Sequence, residues 1–262
     1  MSHSSELMPV LYLPHGAGPM PLLGEPGHAN LVTFLRDIPQ RMPVPKAIIM
    51  ISAHWESNEV RISSSPAPDM MYDYGGFPPE TYEYRYDAPG NPELAQTISS
   101  LLANKGIASQ LDEHRGFDHG TFVPLMLMYP LANIPVVQVS LLKSFDPAKH
   151  IKLGEALAPL REQGILIVGS GMSFHGRAAS KQHSIVFDEW LTSTLLLRPV
   201  EQTSQRLLNW EAAPAARYCH AREEHLMPLH VCFGAAKKHS TSAEKVFSGW
   251  LFDRQISAFL WH

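Results

Sequence analysis

Histidines are the side chains of this sequence best suited to chemistry, and there are 14 of them among 262 residues. Three follow apolar runs that end in small or polar residues: His15 in LPHGAG, His54 in SAHWES and His175 in GSGMSFHG. Two others, His119 in FDHGTF and His225 in EEHLMPLH, lie near the starts of apolar helical patterns. Neutral imidazole binds zinc or iron, and imidazole also exchanges a proton near neutral pH. These residues, brought together, could form a metal site or transfer protons.

Apolar runs rich in valine and isoleucine predict the strands that must position these histidines. The predicted strands are Val10–Leu13, Ala47–Ser52, Ile134–Ser140 and Ile165–Val168. The predicted helices are His28–Ile38, Pro92–Asn104, Pro147–Gln163 with Asp146 and Gly164 as its caps, about Ile185–Leu196 and about Ser204–Trp210. Strands that alternate with helices indicate an α/β fold with a central, partly parallel sheet flanked by helices. Nothing in the sequence resembles a linker, so we expect residues 1–262 to form a single domain.

Open α/β sheets bind ligands outside the carboxyl ends of their strands, so we expect the strand-end histidines to face one crevice. A metal site there needs three or four ligands. His230 shares the predicted helix of His225, but five residues rotate it by about 140° on a helix with ~100° per residue. One regular helix therefore cannot aim both rings at one ion. We choose His225, with Glu224 as a carboxylate that could support its ring, and keep His230 as an alternative.

The remaining histidines give no comparable signal. They lie in the terminal segment, at apparent helix starts, in polar segments or beside uninformative neighbours: His3, His28, His114, His150, His183, His220, His239 and His262. Other catalytic motifs are missing from the sequence, which has no G-x-S-x-G, no P-loop and no H-E-x-x-H. The GSG at 169–171 also lacks the spacing of a dinucleotide-binding fingerprint.

The segment 63–91, SSSPAPDMMYDYGGFPPETYEYRYDAPGN, is rich in proline, glycine, tyrosine and aspartate and has no sustained apolar period. A long loop of this kind in a compact domain is usually functional, as a lid or a binding loop. We expect residues 69–90 to close over a ligand. The alternative is a surface excursion with an edge hairpin at Thr81–Tyr86.

Composition excludes several classes of function. The net charge is -4 and 18% of the residues are charged, so there is no basic surface suited to nucleic acid. The N-terminal MSHSSELMPV does not resemble a signal peptide, and no apolar run is long enough to span a membrane. Two cysteines, Cys219 and Cys232, are too few for a disulfide framework. We therefore expect a cytoplasmic protein that binds neither nucleic acid nor membranes.

Several motifs in order resemble the class III extradiol ring-cleavage dioxygenases, and most closely the branch similar to 4,5-DOPA extradiol dioxygenases. These motifs are LPHGAGPM, SAHWES, GGFPPETYEYRYDAPGNPELA, FDHGTFVPLMLMYPLANIPVVQVS, GSGMSFHG and EEHLMPLHVCFGAA. The resemblance covers residues 8 to about 236. Any one motif alone would be weak, whereas their shared order makes the match specific.

The resemblance implies a mononuclear non-haem Fe(II) site held by His15, His54 and His225. It also implies that His175 is the acid/base residue and that His119 lines the substrate pocket. The protocatechuate branch of the family completes its metal site with a glutamate, so Glu224 is a second alternative to His225. One departure is Phe174 before His175, where the family pattern favours a smaller or polar residue.

The implied substrates are O₂ and a small catechol such as DOPA or caffeate. We expect Phe77 and Tyr82 of the loop to contact the aromatic ring. Zinc could replace iron during purification, because zinc binds such ligands more tightly than Fe²⁺. Two other functions stay open: a zinc-dependent hydrolase, and a metal-binding protein without catalysis. The sequence leaves open which catechol is cleaved and whether the chain forms a homo-oligomer.

Overall fold

In the computed structural model, which describes residues 7–176, 178, 180–196, 199–240 and 242–262, a six-stranded mixed sheet forms the centre of the protein. The strands are β1 (Val10–Pro14), β2 (Ala47–Ser52), β3 (Glu56–Ser57), β4 (Val60–Ser63), β5 (Ser109–Asp112), β6 (Val136–Gln138), β7 (Leu141–Leu142), β8 (Ile165–Gly171), β9 (Glu244–Leu251) and β10 (Arg254–Trp261). The order across the central sheet is β6-β2-β8-β1-β10-β9. Strand β3 pairs with β7, and β4 pairs with β5, in two small parallel sheets.

The four predicted strands are all present, as β1, β2, β6 and β8, and they pair in parallel. Strand β6 is shorter than predicted and covers three residues of the run Ile134–Ser140. The α/β fold with a partly parallel sheet flanked by helices is confirmed. Its carboxyl edge carries the ends of β1, β8 and β2 side by side, which is where the histidine loops begin.

Within the described residues, eight α-helices surround the sheet. They are α1 (Ala29–Asp37), α2 (Pro92–Asn104), α3 (His119–Met128), α4 (Pro147–Leu157), α5 (Lys181–Leu195), α6 (Val200–Leu208), α7 (Ala216–Cys219) and α8 (Met227–Ala236). The predicted helix Pro147–Gln163 is in fact α4 followed by a 3₁₀ helix over Ala158–Gln163, because Pro159 has no amide hydrogen to continue the α pattern. Its predicted caps are correct, since the Asp146 side chain accepts from two main-chain N–H groups and Gly164 is left-handed at φ 83°.

The two later helices begin earlier than predicted. Helix α5 starts at Lys181 because the Ser180 hydroxyl caps it by accepting from the main-chain N–H of His183. Helix α6 starts at Val200 rather than Ser204. Both helices contain polar residues in their first turns, which obscured the apolar period there.

The C-terminal hairpin was not predicted from the sequence. Strand β10 is antiparallel to β1, and β9 is antiparallel to β10. The turn between them uses Phe252 at φ 48° and Asp253 at φ 59°, a conformation that usually calls for asparagine and glycine. The usual hairpin signal is therefore missing from the sequence, although the strands themselves are long.

Both faces of the sheet are buried, which explains the unbroken apolar runs of the parallel strands. Alternate residues enter two separate cores: Tyr12 and Ile49 face one layer of helices, and Leu11 and Met50 face the other. The first layer includes α4 and α8, and the second includes α1 and α3. Packing on both faces fixes the strand ends that carry the histidine loops.

The loop between β4 and α2 has no edge hairpin at Thr81–Tyr86, so the hairpin of the alternative interpretation is wrong. A 3₁₀ helix covers Pro79–Tyr82 instead, with proline near its start. Met70 forms an isolated bridge with Phe117, and Tyr86 is buried in the core. The loop is thus anchored to the body of the domain. His3, set aside above, lies outside the described residues.

None of the described helices is both long enough and apolar enough to cross a membrane.

Candidate metal and active site

The ends of three neighbouring parallel strands supply the site. His15 immediately follows β1, His54 lies two residues beyond β2, and His175 lies four residues beyond β8. The main-chain N–H of His15 donates to the carbonyl of Gly171 at 3.2 Å, which extends the sheet pairing to the histidine itself. The chain then turns at Gly16, whose φ is +86° and where a Cβ would lie 2.6 Å from Pro21. Glycine is required for that turn.

His15, His54 and His225 form a group in which one ring nitrogen from each lies within 4.8 Å of the others. Nε2 of His15 is 3.1 Å from Nε2 of His54. Imidazole nitrogens about 2.1 Å from a metal at angles near 90–110° are about 3.0–3.4 Å apart. The spacing of this pair therefore fits two ligands of one divalent ion.

The neighbours of each Nδ1 show which ring nitrogen of each histidine is available to bind a metal. Nδ1 of His15 is 3.0 Å from the Ser170 hydroxyl, whose own proton is donated to the carbonyl of Gly120. The hydroxyl must then accept, so the His15 proton is on Nδ1 and Nε2 carries a free lone pair. Nδ1 of His225 is 3.0 Å from Oε1 of Glu224, and Nδ1 of His54 is 3.5 Å from Oδ2 of Asp73. Such oxygen partners behind each ring are typical of metal-binding histidines.

Two further histidines share the same carboxylates. Nδ1 of His119 is 2.8 Å from Oδ1 of Asp73, which also accepts from the main-chain N–H of His119. Nδ1 of His175 is 3.3 Å from Oε1 of Glu224. Asp73 thus orients His54 and His119, whereas Glu224 orients His175 and the third histidine of the metal group. Each carboxylate links one candidate ligand to one candidate acid/base residue.

Electrostatics keep the three rings neutral and the carboxylates ionised. Burial lowers the pKa of His15 and of His225 well below the ordinary value, and it lowers the pKa of His54 to about 4. Burial alone would raise the pKa of Asp73, but the hydrogen bond from His119 lowers it to about 2. Burial of Glu224 is likewise outweighed by its histidine partners, which lower its pKa. Neutral imidazoles are the form that binds metal.

The two alternatives for the third ligand, His230 and Glu224, do not take the place of His225 beside His15 and His54. His230 is fully buried, and its Nδ1 and Nε2 lie 3.3 and 3.0 Å from the carbonyls of Leu226 and Leu207. It takes no part in the group of His15 and His54. Glu224 lies behind the ring of His225. The geometry therefore favours the histidine at 225.

A cavity of about 640 Å³ opens beside His175. Met172, Phe174 and Ile256 give it an apolar wall, and Glu224 also contributes to its lining. Cavities of this volume and polarity accommodate small aromatic ligands. Gly16, which follows His15, and Glu224, which contacts His225, also line it, so the cavity borders the metal group, although none of the three metal-group histidines is among its lining residues.

The two loop residues expected at the substrate, Phe77 and Tyr82, contact the loop after β1 and the aromatic residues beside His119, respectively. The Phe77 ring is so close to Gly18 that a Cβ there would be 3.1 Å away. Tyr82 packs on Tyr74 with ring centroids 5.4 Å apart, and Tyr74 in turn lies 5.9 Å from His119. Neither of the two lines the cavity beside His175. Their role in binding substrate stays a prediction.

The sequence did not identify Asp73 or Ser170 as site residues. Their partners are distant in the chain, by 46 residues for His119 and 155 residues for His15, so no local spacing reveals them. The one available signal was the position of Ser170 at the end of the strand that leads to His175. The only sequence signal for Asp73 was its position in the long loop 63–91.

Three histidines that the sequence set aside are buried for structural reasons. Nε2 of His28 accepts from the main-chain N–H of Ala17, and Nε2 of His150 accepts from that of Leu142. His220 faces the carbonyl of Ser173. These rings hold loops in place, and none belongs to the metal-like groups of the described residues.

Comparisons with known proteins agree with this geometry. The sequence model of the catalytic LigB subunit of aromatic ring-opening dioxygenase matches residues 10–256. Dioxygenase tasH of Hapsidospora irregularis is 41% identical over 256 residues, covering 88% of this chain and 78% of that protein. A 4,5-DOPA dioxygenase extradiol of Beta vulgaris is 42% identical, covering 79% of this chain and 78% of that protein.

Bacterial relatives extend the comparison to a solved structure. A 4,5-DOPA dioxygenase extradiol of Escherichia coli is 36% identical, covering 88% of this chain and 86% of that protein. The crystal structure of an uncharacterised protein of Escherichia coli K12 superimposes with a TM-score of 0.79 at 30% identity, covering 97% of this chain and all of the other. Because the family match spans nearly the whole sequence and these relatives match over most of their length, the chain belongs to the class III extradiol dioxygenases, the family of the catalytic LigB subunit.

Proposed function

We propose that this protein is a non-haem Fe(II)-dependent extradiol dioxygenase that opens the ring of a small catechol and adds both atoms of O₂. Relatives named 4,5-DOPA dioxygenase extradiol support this substrate class. The single observation that carries the proposal is the convergence of three buried or half-buried imidazoles whose Nδ1 atoms all face oxygen acceptors. That arrangement leaves three neutral nitrogens for one ion.

We assign His15, His54 and His225 as the residues that hold the metal. Fe(II) held by these residues would bring a catechol and O₂ together and pass electrons from the catechol to O₂, with no net change in its own oxidation state. Because three neutral imidazoles do not offset the positive charge of the ion, that charge favours a deprotonated catechol. Zn(II) is expected to occupy the same ligands when the protein is purified in air.

His175 is the proposed general acid/base. Its side chain is 47% exposed and lines the cavity, so a substrate can reach it. With Nδ1 directed at Glu224, its Nε2 is the nitrogen that would accept a proton from a catechol hydroxyl and return it to an oxygen atom as the ring opens. Because Glu224 is ionised, it also stabilises the imidazolium that forms after the first transfer.

His119 is the second proposed catalytic residue, on the opposite side of the metal group. Its ring is buried and 3.9 Å from that of His54, measured between centroids. The Asp73 carboxylate fixes its orientation, which leaves Nε2 free to hydrogen-bond a substrate oxygen. The loop that carries Asp73 would also exclude water, with Phe77 and Tyr82 as part of the covering surface.

The proposal is tested by oxygen uptake with a panel of catechols. The protein is stripped of metal anaerobically and reloaded with Fe(II) or with Zn(II), and His15→Ala serves as the matched control without the metal site. Uptake of one O₂ per catechol with iron alone, together with a ring-opened product, is the expected result. Ester or amide hydrolysis with zinc and no oxygen uptake would point to the hydrolase, and binding without either reaction would point to a non-catalytic protein.

A further inference from the structure

The cavity beside His175 contains two arginines that differ in their partners. Arg222 and Arg254 both line it, within a wall that is otherwise mostly apolar. A cation in such a place requires a counter-charge, because an apolar wall solvates it poorly. The partners of each arginine therefore show whether the cavity still needs an anion.

The charge of Arg222 is already matched. Its Nη2 donates to Oε2 of Glu56 at 2.5 Å, and its Nη1 lies 3.6 Å from Oε2 of Glu224. The guanidinium also lies over the Phe145 ring, 4.6 Å from its centroid. Arg222 thus belongs to a network that supports Glu224, and it has little left to offer a ligand.

Arg254 has no comparable partner. Its Nη1 is 3.4 Å from the carbonyl oxygens of Phe252 and Asp253, which are weak contacts at the hairpin turn. Within the described part of the chain, no carboxylate forms an ion pair with it. Its guanidinium carbon is 5.8 Å from the centroid of the Phe174 ring, the residue that departs from the family pattern. A guanidinium within about 6 Å of a ring centroid is attracted to the aromatic face, and this contact leaves its N–H groups free.

The position of this pair fits recognition of a substituent on the substrate. Phe174 directly precedes His175, so the Phe174 and Arg254 pair borders the cavity next to the proposed acid/base residue. A catechol whose hydroxyls face the metal group would direct the opposite end of its ring away from it, toward the rest of the cavity. Arginine pairs with carboxylates through two parallel N–H donors, and this pairing discriminates strongly against a neutral group.

We propose that Arg254, which lies over the Phe174 ring, binds a carboxylate carried by the substrate side chain. The preferred substrates are then catechols with an anionic side chain, and neutral alkylcatechols are poor ligands. This inference rests on the proposed function, because the catechol end of the substrate is placed by the metal group.

The test compares two probes that differ in charge, 3-(3,4-dihydroxyphenyl)propionate and 4-ethylcatechol. Binding to the anaerobic metal-loaded enzyme is measured by calorimetry, and kcat/KM is measured by oxygen uptake. Arg254→Met removes the charge and keeps an unbranched chain on Phe174, Arg254→Gln is a second neutral variant, and Arg254→Lys keeps the charge. Arg206→Met is the matched control, since Arg206 lies over the Trp190 ring at 5.5 Å on α6, away from the cavity.

Wild type and Arg206→Met should bind the propionate at least about tenfold more tightly than 4-ethylcatechol, as expected for a charge-assisted hydrogen bond. Both neutral variants should lose this preference while still binding 4-ethylcatechol normally, and Arg254→Lys should keep part of it. Equal binding of the two probes by wild type, or a preference that both neutral variants retain, would overturn the inference. Failure of the proposed function would give a different result. Oxygen uptake would then be absent with both probes, and the binding of the two probes to wild type and to the Arg254 variants would still test the role of Arg254.

Discussion

The imidazole rings of His175 and His225 are stacked, with centroids 3.5 Å apart and planes inclined by 18°. Both Nδ1 atoms face the same oxygen of Glu224. The candidate acid/base residue therefore lies against a candidate metal ligand, and one carboxylate sets the orientation of both. The proposed proton transfer and the proposed metal site therefore share one supporting side chain, Glu224.

Glu224→Gln should weaken both functions. The amide carries no charge, so it holds the two imidazole N–H groups less firmly than the carboxylate does. Loss of such a partner typically lowers metal affinity by about 10- to 100-fold. Competition with a chelator measures this, and Glu223→Gln is the control because Glu223 pairs with Arg217 instead. Unchanged metal affinity in Glu224→Gln would show that the carboxylate does not support the ligand.

The proposed ligands differ sharply from His230 in what their loss should do. His15→Ala, His54→Ala and His225→Ala should each lose most of the bound metal, because two imidazoles rarely retain a divalent ion against water. His230→Ala should keep the metal, although it lowers the free energy of unfolding by removing contacts with two carbonyls. Metal analysis after gel filtration gives the answer. Full occupancy in any of the first three variants would remove that residue from the ligand set.

The histidines at the strand ends were predictable from the sequence because each lies within a few residues of the apolar run that forms its strand. A local pattern therefore shows both the strand and the histidine. The carboxyl-edge rule then placed His15, His54 and His175 at one crevice, as the structure has them. Asp73 was not predictable, because its contacts depend on how a loop without periodicity folds back onto α3. The hairpin at Phe252 was missed for a local reason, since its turn lacks the glycine that normally marks such a conformation.

The loop prediction is tested with Tyr82→Ala. Tyr82 supports Tyr74, which lies beside His119, so its loss should loosen the covering loop and raise KM for a catechol more than it changes metal affinity. Tyr84→Ala is a matched control on the same loop. Its contact with the Tyr72 hydroxyl uses the main-chain carbonyl, which alanine retains. Steady-state kinetics measure KM for a catechol in both variants. If both KM values equal that of wild type, the loop has only a structural role.

Buried His150 predicts a loss of stability in acid. Burial lowers its pKa to about 4, and its Nε2 accepts a hydrogen bond from Leu142 that a protonated ring cannot accept. In the unfolded chain a histidine has a pKa of about 6.5, so the unfolded state binds the proton first as the pH falls. The contribution of His150 is complete above about pH 6.5 and is lost toward pH 4, by about 1.4 kcal/mol per pH unit.

Urea denaturation at several pH values checks this prediction. His150→Gln should be less stable than wild type near neutral pH but should lose less stability as the pH falls from about 7 to 5. His114→Gln, at an exposed position, should retain the wild-type slope. If the free energy of unfolding falls with pH as steeply in His150→Gln as in wild type, other groups cause the acid sensitivity.

The most direct test of the account is oxygen uptake by His175→Gln at measured iron content and with catechol binding followed by absorbance. The proposed role predicts full iron occupancy and retained catechol binding, because His175 is not in the three-histidine group. Turnover should fall by about 10²- to 10⁴-fold, as expected for the loss of a general acid/base. Loss of iron would instead make His175 a ligand, and near-normal turnover would contradict its role in proton transfer.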